Sequence, residues 1–320
     1  MTVSTDVVFS PWRHRFSVFT AACTLVLIFV GGLVTSTGSG LAVPDWPLSY
    51  GMLMPPMVGG VFFEHGHRMV ATFVGLLTTV LAAWTARSEP RAGVRRLAWA
   101  ALLTVIAQGI LGGLTVKFLL PTPVSVAHAC LAQTFFCLVI ALAYATSREF
   151  IAGGDVVAPD APGVRGAASL ATAVVFGQLA LGAVMRHMGA GLAIPDFPLA
   201  FGRVIPPFEH AGVVVHFSHR MGALLVLAAV VRLALRARRS GSPRLARTAW
   251  LALALVVVQI ALGAATVLSG RAVVPTTAHV AVGAAVLGTC WLVTLRASLP
   301  LRRRDRVASP ALDGRVAVTS

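Results

Sequence analysis

Eight stretches of about 20 mostly apolar residues run through this chain, and that length is what a helix needs to cross a hydrocarbon layer. They fall at roughly 17–37, 63–86, 97–116, 124–146, 167–187, 210–231, 249–268 and 275–297. Barrel strands would be shorter and would alternate, and these runs do not alternate. Residues are 57% hydrophobic and 12% charged, too apolar for a soluble domain of 320 residues. The expected fold is an all-α integral membrane bundle of eight transmembrane helices. Nothing at the N-terminus reads as a cleaved signal, so the first span is expected to stay.

A net charge of +15 raises the question of nucleic acid, but the placement of the basic residues answers it. Arg13 and Arg15 precede the first span; Arg87, Arg91, Arg95 and Arg96 follow the second; Arg148 and Arg165 follow the fourth. Arg232, Arg236, Arg238, Arg239, Arg244 and Arg247 follow the sixth, and Arg302, Arg303, Arg304 and Arg306 follow the last. The alternate loops hold little besides Lys117, Arg203 and Arg271. This is a positive-inside pattern, which makes both termini cytoplasmic and leaves no basis for a nucleic-acid partner.

The chain also repeats itself. GLAVPDWPLSYG begins at Gly40 and GLAIPDFPLAFG at Gly191, so 191 − 40 gives an offset of 151. QGILGGLTV from Gln108 matches QIALGAATV from Gln259, and AHACLAQ from Ala127 matches AHVAVGA from Ala278, at the same offset. EHGHRM from Glu64 and HFSHRM from His216 align at 152. Two tandem four-helix bundles follow: an N-terminal half at 1–150, a linker at 151–162, a C-terminal half at 163–300 and a basic cytoplasmic tail at 301–320. An even number of spans per unit makes this a parallel internal repeat, with both proline-rich loops on the outer side.

Four of the nine histidines occupy matched positions: His67 with His219, and His128 with His279. Each lies near the outer end of an even-numbered span. Neutral imidazoles on separate helices can hold haem iron from its two faces; a single intramembrane histidine can equally be an interhelical hydrogen-bond partner. Zinc would need further ligands at the same depth, and Glu64 or His216, three residues before the matched histidines, keeps that reading open. Glu64 stands opposite His216 in the repeat, a carboxylate against an imidazole. It is either chemically active or simply paired with Arg68 at the span end. Arg68 and Arg220 could hold a haem propionate or snorkel to the interface. Each loop, with Pro44, Asp45 and Pro47 or Pro195, Asp196 and Pro198, is expected to form a preset turn and to close a pocket as a lid. Gly109, Gly112, Gly113 and Gly263 are expected to permit close helix packing.

Taken in order, the TGSGLAVPDWPL loop, EHGHRM, HFSHRM, AHAC and AHVAVG resemble the haem A synthase family over nearly the whole chain. The resemblance implies a membrane oxidoreductase that converts the C8 methyl group of haem O to formyl for cytochrome oxidase. It implies His67 and His128 as ligands of the substrate haem O, His219 and His279 as ligands of a resident haem b, and Glu64 as the catalytic carboxylate; His216 carries no role. It also implies a haem O synthase, oxidase assembly factors and an unidentified electron donor as partners, in the cell membrane. Many members carry a cysteine pair in the first outer loop, where this chain has Val43 and Ser49. Its four cysteines, Cys23, Cys130, Cys137 and Cys290, all fall within spans, so loop-disulfide chemistry is excluded. Two other classes remain: a bis-histidine cytochrome b passing electrons between quinone and an outer acceptor, and a transporter. The first gives Glu64 no role; the second is disfavoured by the lack of mid-span charge.

Overall fold

The computed structural model describes residues 8–152 and 162–298. Most of the expected linker at 151–162 and the tail at 301–320 lie outside the described residues. Among the described residues eight long helices account for the expected spans: α1 (Pro11–Ser36), α2 (Gly60–Ser88), α3 (Ala92–Lys117), α4 (Thr122–Ala145), α6 (Pro162–His187), α7 (Ala211–Arg239), α8 (Pro243–Leu268) and α9 (Val273–Ala297), with a one-turn α5 (Arg148–Ile151) after α4. In lipid every backbone group must be bonded within its segment, which is why the apolar runs become helices and nothing else.

On the loop side the expected and observed ends agree closely. On the opposite, basic side most helices run on past the apolar stretch: α1 begins at Pro11, α3 at Ala92 and α8 at Pro243, and α7 continues to Arg239. The apolar signal stops at the first arginines, but the helix does not, because arginine is a good helix former and its stem lies along apolar surface while its head reaches water. Ser10 and Ser242 cap α1 and α8 through their side chains, each followed by a proline in the first turn.

The first and last helices of each half form the centre: α1 packs on α9, α4 on α6, and α4 on α9. Ile28, Phe136 and Ala284 make a buried cluster there, and Gly288 lets α9 approach Phe136 and Ile140, whose atoms would lie within 2.9 Å of any added Cβ. Helices α2, α3, α7 and α8 are peripheral and expose Leu76, Leu103, Leu225 and Val257, the faces a bilayer covers. The basic side is tied by ion pairs: Arg13 and Arg91 both reach Glu89 at 2.7 Å, and Arg296 reaches Glu149 at 2.9 Å. Burial pushes the Glu89 carboxyl up, but hydrogen bonds from Arg91 and the charges of Arg91 and Arg13 outweigh it and hold it below the usual range.

Candidate functional site: two histidine pairs under twin loops

Each matched histidine lies against a glycine of the preceding long helix. A Cβ added at Gly31, Gly112 or Gly263 would lie 3.1 Å from Cε1 of His67, His128 or His279 respectively, and one at Gly182 would lie 2.9 Å from Cε1 of His219. Any side chain would push the ring away, so four missing methyl groups set four imidazoles. Gly31 and Gly182 are 151 residues apart, as are Gly112 and Gly263. That spacing was a readable signal for the first pair, which sequence reasoning missed. Of the glycines it singled out, Gly112 and Gly263 meet histidines, Gly113 meets Trp46, and Gly109 faces open space.

In the C-terminal half, the rings of His219 and His279 are 6.4 Å apart, centre to centre, at 64°. Two iron–nitrogen bonds of about 2 Å, with ring centres about 1 Å further back, put opposed axial imidazoles about 6 Å apart. The spacing therefore fits one haem iron. His279 Nδ1 lies 3.1 Å from the backbone oxygen of Gln259; donating there leaves Nε2 with its lone pair free for a metal. Gln178 donates to the His219 carbonyl at 2.7 Å and lies 3.1 Å from Nδ1. In the N-terminal half the Nδ1 atoms of both His67 and His128 are buried without a partner among the described residues, and Gln108 Nε2 sits 3.2 Å from His128 Nε2. That contact must give way if His128 is to bind iron through Nε2. Among the described residues no group of three or more His, Cys, Asp or Glu could hold a metal ion. Porphyrin supplies four of an iron's six ligands, so paired histidines fit haem where they do not fit zinc.

The loops between α1 and α2 and between α6 and α7 are built alike. Asp45 accepts from the amides of Tyr50 at 2.7 Å and Gly51 at 2.8 Å; Asp196 accepts from Phe201 and Gly202, both at 2.8 Å. The two amides follow each other because Tyr50 and Gly51, like Phe201 and Gly202, have positive φ, 53° and 70° and then 55° and 70°. This is the two-residue turn in which both central residues are left-handed. The Gly51 and Tyr50 amides hold Asp45 below the usual carboxylate range, and the Gly202 and Phe201 amides do the same for Asp196. Both loops carry a cis X–Pro peptide, at Trp46–Pro47 and Phe197–Pro198.

Both arginines after the matched histidines hold these loops. Arg68 donates to the carbonyls of Asp45, Leu48 and Val43 at 2.8, 2.9 and 3.3 Å, and Arg220 to those of Leu199, Ile194 and Asp196 at 2.8, 3.1 and 2.6 Å. Glu64 is 4% exposed; one oxygen accepts from the Val43 amide at 2.8 Å and the other from Arg68 at 2.7 Å. His216 Nδ1 accepts from the Ile194 amide at 3.3 Å. The carboxylate and its repeat partner thus receive the same loop amide, a shared task that alignment alone did not disclose. The halves differ beneath the turn. His65 Nδ1 lies 2.8 Å from Ser49 Oγ, where the second half has Phe217 and Ala200. Trp46 lies over α3, and a Cβ at Gly113 would fall 2.5 Å from its indole. The first loop therefore covers the helix position next to Gly112, the glycine behind His128.

The family model described as "Cytochrome oxidase assembly protein", COX15-CtaA, matches residues 14–60 and 58–291. A protein of Symbiobacterium thermophilum named "Heme A synthase" is 37% identical over 259 residues, 78% of this chain and 83% of the relative. Another of that name from Halalkalibacterium halodurans is 31% identical over 88% of this chain and 95% of its own length. A third, from Methylobacterium radiotolerans, is 28% identical over 83% and 85%.

Proposed function

This chain belongs to the COX15-CtaA family of cytochrome oxidase assembly proteins, and from that membership together with its histidine geometry we propose that it is a haem A synthase. It is a multi-pass protein of the cell membrane that oxidises the C8 methyl group of the substrate haem O to the formyl group of haem A. Both termini lie in the cytoplasm, as the basic loops favour, and the two loops cap the outer face. The halves divide as 1–150 for the substrate site and 163–300 for the cofactor site. Haem O synthase, oxidase assembly factors and an electron donor complete the system.

His67 and His128 hold haem O in the N-terminal half, and His219 and His279 hold a resident haem b in the C-terminal half. When bound, haem b supplies one-electron transfer. What supports the second assignment most is the 6.4 Å ring separation combined with the free Nε2 of His279. Glycines behind the rings orient them. The loops exclude water from the outer end of each site, and Arg68 and Arg220 serve both sites by holding those loops closed.

Glu64 is the catalytic carboxylate. Its bonds to Val43 and Arg68 occupy two of about four lone-pair positions on a carboxylate, so one of its oxygens can take a proton from the substrate side while the loop stays held. Glu64→Gln keeps a side chain able to accept from the Val43 amide but cannot relay that proton. Haem extracted from membranes that contain a haem O source is separated by chromatography. The parent yields haem A; Glu64→Gln retains haem b and loses haem A about 100-fold or more. Normal haem A from the variant removes Glu64 from the chemistry, and haem B alone from the parent, with haem O available, removes the synthase reading.

A further inference from the structure

Arg186 differs from the buried or half-buried arginines that reach a carboxylate, and from Arg95 and Arg220, whose guanidiniums are held by backbone carbonyls at helix ends and loops. Arg13 and Arg91 pair with Glu89, Arg68 with Glu64 and Arg296 with Glu149. Among the described residues Arg186 has no carboxylate partner. It reaches instead from α6 to α1, where Nη2 donates to the Gly32 carbonyl and to Ser36 Oγ, both at 2.9 Å. Its Nε–H is buried and has no acceptor among the described residues. A guanidinium has five hydrogens to place, and at membrane depth an unmatched cation is costly unless something supplies the opposite charge. Its counterpart 151 residues earlier is Thr35, whose hydroxyl donates to the Gly31 carbonyl of its own helix. The cation thus belongs to one half alone and is not part of the twin-loop scaffold.

Two contacts place it at the histidine pair of the C-terminal half. Gly182, four residues before Arg186 and therefore on the same face of α6, is the glycine that backs His219; Arg186 lies one turn, about 5.4 Å, further toward the loop side. Gly32, whose carbonyl holds the guanidinium, packs on Val280 and Thr277 of α9, with a built Cβ at 3.3 and 3.6 Å from their side chains. Those residues flank His279. The guanidinium is anchored beside the α9 segment that carries one ligand, and it springs from the face of α6 that touches the other.

We propose that Arg186 is a carboxylate-binding residue that receives a propionate of the haem held by His219 and His279. This rests on the assignment of haem b to the C-terminal half. A planar guanidinium with a free buried N–H suits a carboxylate, and the same chemistry would suit a lipid phosphate reaching in from the outer leaflet, so the test must separate the two.

Full-length protein made in haem-depleted cells and purified in detergent is titrated with haem b and with haem b dimethyl ester, whose propionates are uncharged. In the parent, esterification weakens uptake about 10-fold or more, the size expected for losing a charge-assisted hydrogen bond. In Arg186→Gln the penalty shrinks to about 2-fold or less, because the partner is already gone, and Arg186→Lys falls between. An equal penalty in parent and Arg186→Gln overturns the proposal and leaves the lipid phosphate as the ligand. Should Arg186→Gln fail to fold, the Arg186→Lys comparison decides by the same criterion. His279→Ala should take up neither compound; if it binds haem b as the parent does, the placement of haem in this half fails, and the role of Arg186 falls with it.

Discussion

Replacing Gly182 by alanine would put a methyl carbon 2.9 Å from Cε1 of His219. Carbon atoms rest comfortably at about 3.5 Å or more, so ring or helix must yield by roughly half an ångström. Overpacking of this kind costs about 1–3 kcal/mol, which is about 5- to 150-fold in the retention of a haem that depends on that ring. Gly177, five residues earlier on the same helix, meets nothing within 4 Å, so Gly177→Ala adds a methyl group to open space. The two variants are compared for haem b per protein after size-exclusion chromatography, and for the low-spin visible spectrum. Gly182→Ala should lose haem or convert part of it to a high-spin form, while Gly177→Ala matches the parent. If both variants match the parent, the glycine does not set the ligand, and the packing argument for all four histidines is refuted.

Glu89→Ala leaves Arg13 buried with no counter-charge, since their side chains are 0% and 3% exposed. A loss of about 3–5 kcal/mol is expected, visible as a lower unfolding midpoint in detergent, and an unchanged midpoint would contradict it. Gly113→Ala drives Trp46 off α3, so tryptophan emission should shift to the red and haem A yield should fall without loss of haem b. The Asp45 and Asp196 turns should hold across pH 5–8. Their folded pKa values lie below the unfolded value of about 3.9, so the stabilisation is complete above that value and is lost only as pH falls through the lower folded value. Loop opening near pH 6, read as faster thiol labelling of a Leu53→Cys variant, would rule this out.

How much of this was legible beforehand differs from residue to residue. The eight spans and four histidines could be read because apolar length and repeat spacing are properties of consecutive residues. The arginines at the helix ends misled by a turn or more in α1, α3, α7 and α8, because hydropathy measures transfer to hydrocarbon while a helix continues wherever its backbone bonds do. Glu64 was recognisable as a buried carboxylate with Arg68 in reach, but its bond to the Val43 amide depends on a turn made by Asp45, Tyr50 and Gly51, 13 or more residues away in sequence.

The sequence by itself determined that this chain crosses a membrane as helices, that its motifs recur about 151 residues apart, and that histidines recur in pairs. Those outcomes follow from solvent and period alone. Only the tertiary structure decided which glycine backs which imidazole, that Arg68 and Arg220 hold the loops, and that Arg186 reaches across to α1 with its Nε–H left over. Each of these depends on which helices become neighbours. In lipid that choice is made by close packing at small residues rather than by burial of apolar surface, since every face of such a helix is apolar.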